Sequence, residues 1–215
     1  MAGKKLINEA AIRDAAAAGD TTVVVPRDAI VTPLARDTAR ERGITIVVGE
    51  LAGTLTGPVP AAVENVVAIG SDHGGFEFKE ALKPWLSEKG WKVVDVGTES
   101  PRSCDYPDFA YAVARIVADE RAGYGIMIDG AGIGSAIVCN KVPGIRAASA
   151  YNEFTAWNAR AHNNVNVLTL GSRSLGIEVC KRVVSTFLDT SFEGGRHERR
   201  IRKMQDVEDR FSRHP

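Results

Sequence analysis

From Val66 onward the chain alternates two patterns. Short continuous runs of apolar or β-branched residues, "VVAIGS", "WKVVDVG", "YGIMID", "IRAASA" and "VNVLTLG", are separated by longer segments over 76–89, 107–121, 133–141, 152–162 and 177–189 that read as helices. Uninterrupted apolar runs of this length are expected of strands whose sheet is covered by helices on both faces. Pro107 stands in a first-turn position, and Gly90 and Gly123 follow helical segments as C-terminal stops do. The alternation predicts an α/β domain over 66–215 built on a three-layer, doubly wound parallel sheet. In such sheets ligands bind at the carboxyl ends of the strands, where the strand order switches. The tail "EGGRHERRIRKMQDVEDRFSRHP" predicts a charged helix.

The first fifty residues show the same alternation on a smaller scale. A helix over 4–18, a strand "TTVVVP", a helix "TPLARDTARERG" and a strand "ITIVVG" predict a small N-terminal α/β extension over 1–49. Residues 50–65 are rich in Gly, Pro, Thr and Ala, with no period and little charge, and predict a linker. Fifty residues are few for an independent core, so the extension is expected to need a partner surface.

Charge narrows the partners. With 27 basic and 27 acidic side chains there is no electrostatic case for nucleic acid or an anionic membrane. The start "MAGKKLINEAAIRDAAAAGD" has no continuous apolar stretch of the signal-peptide kind, and no run approaches a membrane span. Three widely spaced cysteines, Cys104, Cys139 and Cys180, fit free thiols in a reducing compartment. The expected location is cytoplasmic.

Polar groups fall just after several strands. Asp72 and His73 follow "VVAIGS", Asp129 ends "YGIMID", and Arg173 follows "VNVLTLG". Asp105 and Tyr106 precede a helix, and His162 and Asn163 end one. Taken singly, each has a bland reading: an Asp before a helix is often a cap, a surface His is often solvated, and Cys139 among small apolar residues reads as a buried hydrophobe. Alternating architecture, however, puts Asp72, His73, Asp129 and Arg173 on one edge of one sheet. The loop "GAGIGS" after Asp129 lacks the third glycine of a dinucleotide fingerprint, since Ser135 stands there, and it follows the third strand of its domain. Nucleotide binding is therefore disfavoured. Its backbone N–H groups, at a helix N-terminus, instead suit a small anion or a developing oxyanion.

The segments "IGSDHGGFEFKEALKPWL", "DVGTES", "DYPDFA", "GAGIG", "NKVPGIRAA", "ARAHNNVNVLTLGSR" and "FEGGRHERRI" together resemble the type B ribose-5-phosphate isomerases, a group related to the galactose-6-phosphate isomerase subunits. The resemblance spans about 66–212. It implies a flavodoxin-like sandwich, no metal or other cofactor, and a homodimer or a tetramer with sites shared between subunits. It implies that Asp72 and a partner subunit's His162 open the sugar ring, and that His73, Arg196 and Arg200 bind phosphate, with Arg173 on the same side. Tyr106 and Asn163 lie near the sugar, and the amides of Gly130, Gly132 and Gly134 belong to the loop that stabilises the enediolate. Family members carry either a cysteine directly before this loop or a glutamate directly after it as the proton-transfer base. Here those places hold Asp129 and Ser135. A carboxylate can perform this transfer, as triosephosphate isomerase does with a glutamate, so Asp129 is expected to be the base.

"AIVTPLARDTARERGI" is similar to segments on enzymes of bacterial microcompartments, which suggests docking to shell or cargo proteins. The bland alternative is an oligomerisation arm. For the main domain, the expectation is an aldose–ketose isomerase of ribose 5-phosphate and ribulose 5-phosphate. The alternatives are an isomerase of a four- or six-carbon sugar phosphate and a non-catalytic sugar-phosphate binding or scaffold protein.

Overall fold

A computed structural model describes residues 6–26, 29–49 and 65–211. The chain divides into two compact units, residues 1–62 and 63–215. Apart from Asn65, the predicted linker lies outside the described residues.

The first unit runs β1 (Leu6–Ile7), α1 (Glu9–Ala17), β2 (Thr22–Pro26), β3 (Ile30–Val31), α2 (Pro33–Glu41) and β4 (Thr45–Gly49). The predicted first helix starts late because the Asn8 side chain accepts from the Ala11 amide at 3.1 Å and caps it, which releases Leu6 and Ile7 to pair in parallel with Ile30 and Val31. Strands β2 and β4 also pair in parallel. Ile7, Ile12, Val25, Val31, Ala35, Ala39 and Ile44 enclose a small core of the unit's own. Val24, Val47 and Val48 of the β2–β4 pair stay exposed.

The second unit runs β5 (Val66–Ser71), α3 (Phe76–Glu88), β6 (Lys92–Asp95), α4 (Tyr106–Ala118), β7 (Tyr124–Asp129), α5 (Ile133–Cys139), β8 (Ala147–Ser149), α6 (Glu153–Asn163), β9 (Val167–Gly171), α7 (Ile177–Asp189) and α8 (Arg196–Phe211). All its strands are parallel, in the order β6-β5-β7-β9-β8. Helices α3, α6 and α7 close one face over Val67, Ile69, Ile126, Ile128, Leu168 and Leu170. Helices α4 and α5 close the other.

The three-layer, doubly wound parallel architecture is thus present. In strand sequence the order is 2-1-3-5-4, which departs from the flavodoxin-like 2-1-3-4-5 in its last two places. Burial explains the exchange. All five residues of β9 are buried, so β9 belongs inside the sheet, whereas β8 is three half-buried residues and suits the edge. The order reverses between β5 and β7, and there the binding crevice of such a sheet opens.

Because the second unit carries its own sheet and core, a chain beginning at residue 63 is expected to unfold cooperatively by circular dichroism, with a Tm within about 5 °C of the corresponding transition in the full chain. Loss of a cooperative transition would show that the main domain depends on the extension.

Candidate functional site

Asp72 and Asp129 flank the switch point. Ser71 pairs with Ile128 in the sheet register, and the Asp72 amide donates to the Ile128 carbonyl at 3.2 Å. Both residues are nearly buried, at 8% and 5% exposure. Asp72 accepts from the Gly75 amide at 3.0 Å, which turns the chain into α3. Next to it, His73 Nδ1 lies 3.1 Å from the Cys104 carbonyl oxygen and 3.3 Å from the Cys104 amide nitrogen. This ties the β5 loop to the segment leading into α4. The Ser172 hydroxyl sits between the carbonyl oxygens of Gly74, at 2.7 Å, and Asp129, at 3.0 Å, and clasps the loops after β5, β7 and β9 together.

The glycine loop wraps the Asp129 carboxylate. Oδ1 accepts from the amides of Ala131 and Gly132, and Oδ2 accepts from the amide and hydroxyl of Ser135. Gly132 takes the left-handed conformation at φ +80°, and a Cβ there would lie 2.7 Å from Ser149 Oγ. A Cβ on Gly134 would lie 2.6 Å from Tyr106 Cζ, so the glycine admits the tyrosine ring against the loop. The Arg173 amide donates to the Gly130 carbonyl at 3.1 Å, and its exposed side chain lies alongside Gly130.

A second group forms where α6 ends and α8 begins. The rings of His162 and His197 stack with centroids 4.1 Å apart and planes at 10°. Trp157 meets His162 edge-on at 4.9 Å. Asn158 Nδ2 lies 2.9 Å from His162 Nδ1, and Asn163 Nδ2 donates to the Asn158 carbonyl oxygen at 3.2 Å. Arg196 Nε donates to His197 Nε2 at 3.2 Å, and Arg200 reaches His197 Nδ1 at 3.3 Å. Burial, with His162, Arg196 and Arg200 as neighbours, holds His197 below the ordinary imidazole range. Both arginines are otherwise exposed.

The predicted residues therefore fall into two groups. Asp72, His73, Tyr106, Asp129, Gly130, Gly132, Gly134 and Arg173 share the sheet's carboxyl edge. His162, Asn163, Arg196 and Arg200 form the other cluster, held by its own contacts. Sequence reasoning passed over Glu193, His197 and Ser172. The first two lie inside the motif "FEGGRHERRI", and Ser172 lies in "LGSR".

His162, Glu193 and His197 bring one ligand atom each within 4.8 Å of one another. Parallel stacked imidazoles aim their lone pairs in parallel rather than at one point, and Arg196 and Arg200 occupy the two ring nitrogens of His197. The arrangement does not suit a metal ion as it stands. Of the three free thiols, Cys139 and Cys180 are buried, which pushes them up to about 12 and about 11, and neither is a nucleophile.

A family model described as Ribose/Galactose Isomerase matches residues 67–204. The chain belongs to the ribose/galactose isomerase family. It is similar to ribose-5-phosphate isomerase B of Escherichia coli, at 41% identity over 144 residues, 67% of this chain and 97% of that one. It is 37% identical over 139 residues to the D-erythrulose-4-phosphate isomerase of Pectobacterium atrosepticum, covering 64% of this chain and 91% of the relative. Among solved structures, ribose-5-phosphate isomerase B of Thermotoga maritima superposes with TM-score 0.65 at 46% identity, covering 67% of this chain and 99% of the other. The Mycoplasma genitalium enzyme with bound ribulose-5-phosphate gives TM-score 0.64 at 40% identity, over 67% and 96%. The family match leaves the first unit uncovered. No helix among the described residues is long and apolar enough to cross a membrane.

An ion-pair network around a buried lysine supports the crevice from behind. Lys79 is fully buried and donates to Asp95 Oδ2 at 2.7 Å and Glu80 Oε1 at 2.6 Å, while Lys83 reaches the same two oxygens at 2.7 and 2.8 Å. Asp95 also accepts from the Gly97 amide at 2.9 Å, which fixes the start of the segment carrying Cys104 and Tyr106. Burial alone raises the Asp95 carboxyl, but hydrogen bonds from Lys79, Lys83 and Gly97 outweigh it and hold the group below the usual carboxylate range. With a depressed folded pKa, its stabilisation is complete above the unfolded value and is lost as pH falls through the folded one. Asp95→Asn is therefore expected to lower the urea midpoint at pH 7 and to flatten its decline below about pH 4. An acid limb unchanged by the substitution would contradict this account.

Proposed function

We propose that the protein is an aldose–ketose isomerase of phosphorylated sugars, interconverting ribose 5-phosphate and ribulose 5-phosphate. The observation that carries this reading is the meeting of Asp72, Asp129 and the glycine loop at the switch point of a sheet belonging to this family. Ring opening is assigned to Asp72 with His162. Phosphate is assigned to His73, Arg173, Arg196 and Arg200, and sugar contacts to Tyr106 and Asn163. Asp129 is assigned the base that carries the proton between C1 and C2 through an enediolate. The family's two alternative base positions, 129 and 135, are neighbours here, joined by the hydrogen bond from Ser135 to Asp129 Oδ2. One carboxylate thus reaches the space of both. Of the three glycines that the resemblance places at the enediolate, Gly132 donates its amide to Asp129 instead, and the amides of Gly130 and Gly134, which are not among the donors to Asp129, are the ones assigned to the enediolate oxygen.

One observation favours a second reading. Four donors from its own loop hold Asp129 in place, as they would hold a structural anchor. An anchor in the base position fits a protein whose substrate has shifted to another sugar phosphate, or one that binds without turnover.

The two groups of site residues belong, in this reading, to one site completed by a second subunit. Exposed Ile133, Ile137, Tyr151 and Phe154 offer apolar surface for such a homodimer. The first unit is assigned docking inside a microcompartment of the cytoplasm, on its similarity to segments of microcompartment enzymes.

Two experiments test this reading. Asp129→Asn is expected to lower kcat on ribose 5-phosphate by about 100-fold or more, as loss of a general base does, whereas Asp129→Cys, which keeps an ionisable group in place, is expected to retain measurable turnover. Inactive Asp129→Cys with a correctly folded loop would favour the anchor. Full activity of Asp129→Asn would remove Asp129 from the mechanism. For the shared site, inactive Asp72→Asn and His162→Asn chains, unfolded and refolded together, are expected to regain about a quarter of wild-type activity, because half the dimers are mixed and each holds one intact site. No recovery would place each site within one chain.

A further inference from the structure

Glu193 contacts both histidines of the α6–α8 cluster. Its amide donates to the Ala161 carbonyl at 3.0 Å, which fixes its backbone against the residue preceding His162. Its Oε2 lies 3.5 Å from His162 Nε2 and 3.9 Å from His197 Nε2. The other sides of the His162 ring are occupied by the stacked His197, the Trp157 edge and the Asn158 amide. Asn163 Nδ2 lies 3.4 Å from Asn158 Oδ1, which orients the Asn158 amide so that its NH2 group faces His162 Nδ1. With Nδ1 accepting, the neutral ring carries its hydrogen on Nε2, beside the Glu193 carboxylate.

The supporting helix end is rigid. Arg160 is buried and donates to the Val165 carbonyl at 2.6 Å, to Asn164 Oδ1 at 2.9 Å and to the Tyr124 hydroxyl at 3.1 Å. His162 therefore has little freedom except about its own ring. The charges around it matter as much. Arg196 and Arg200 both contact His197, which stacks on His162, and both oppose a positive imidazole there. Glu193 Oε2 is the carboxylate oxygen placed against them, beside His162 Nε2 and beside His197 Nε2, the nitrogen that Arg196 contacts.

We propose that Glu193 is a positioning residue for His162, fixing its ring orientation and supplying the counter-charge when the imidazole becomes protonated during opening of the sugar ring. This rests on the isomerase reading with His162 in ring opening. The arrangement repeats the general logic of a base held by a third group. A half-exposed glutamate is a usual place for a solvated charge, but this one is tied by its backbone and aimed at two ring nitrogens.

The test separates ring opening from proton transfer. Ribose 5-phosphate is held mostly as a furanose. The analogue 4-deoxyribose 5-phosphate lacks O4 and cannot close that ring, so it reaches the base already open. Glu193→Gln is isosteric and its side chain is half-exposed, so folding should survive; circular dichroism checks it. The variant is expected to lose about tenfold or more in kcat/KM on ribose 5-phosphate, and less than about twofold on the deoxy analogue. Glu193→Asp should recover part of the loss, and Glu193→Gln added to His162→Asn should cause no further loss on ribose 5-phosphate. An equal fall on both substrates, or no fall on ribose 5-phosphate, overturns the proposal while leaving the isomerase intact. If His162→Asn itself fails to distinguish the two substrates, or the wild type turns over neither, the underlying reading falls and the proposal with it.

Discussion

The pairing of β5 with β7 is the constraint on which the rest of the second unit depends. These strands lie side by side although β6 intervenes in sequence, so the chain must leave β5 in one direction and return to its other edge. That reversal opens the crevice. The register Ser71↔Ile128 then fixes what lines it, because the next residue on each strand is an aspartate. A slip of one residue would turn Asp72 or Asp129 into the core and bring an apolar neighbour to the mouth. The buried runs Val67–Ile69 and Ile126–Ile128, packed under Leu82, Leu86 and Phe187, hold the register. Removal of a side chain such as Phe187 would cost about 3–5 kcal/mol, so the core that stabilises the domain also aligns the two carboxylates.

Much of this was legible in the sequence, for a physical reason in each case. Strands covered on both faces must be apolar throughout, so β5, β7 and β9 announce themselves, and α7 falls where its pattern put it. The positions of Asp72, Asp129 and Arg173 at or just past strand ends followed from the alternation alone. The order of the last two strands did not. It turns on β8 being short and half-buried, a property of packing that "IRAASA" only hints at through its small residues. Nor was the start of α1 legible, since an Asn eight residues in is an ordinary helix residue until its side chain is seen accepting from Ala11.

The glycine loop shows where residue types end and geometry begins. Sequence spacing disfavours a dinucleotide fingerprint and leaves a loop suited to a small anion or an oxyanion. Geometry adds that half of this loop's donors are turned inward onto Asp129. The carboxylate and the loop therefore shape each other. Remove the carboxylate, and three amides and a hydroxyl lose their acceptor, at a cost of about 1–3 kcal/mol for each buried donor left unpaired. A cysteine in that place could not accept four hydrogen bonds, so the exchange of cysteine for aspartate alters the loop's internal bonding as well as the acid–base group.

The separation of the two clusters has an electrostatic consequence. Two carboxylates sit at the sheet edge, and two exposed arginines of α8 sit with the stacked His162 of α6 and His197 of α8. If all these groups met within one chain, each arginine could neutralise an aspartate, and a phosphate would have to displace that partner. In the proposed two-subunit site these groups meet only across subunits, so that within one chain the arginines stay turned toward a neutral His197 and remain available to an anion. The aspartates keep amide donors as their partners, which a bound sugar can supplement without breaking an ion pair. The same separation gives the role proposed for Glu193 its physical sense: an environment made cationic by Arg196 and Arg200 opposes a protonated imidazole, and a single carboxylate at both Nε2 atoms offsets that charge beside His162.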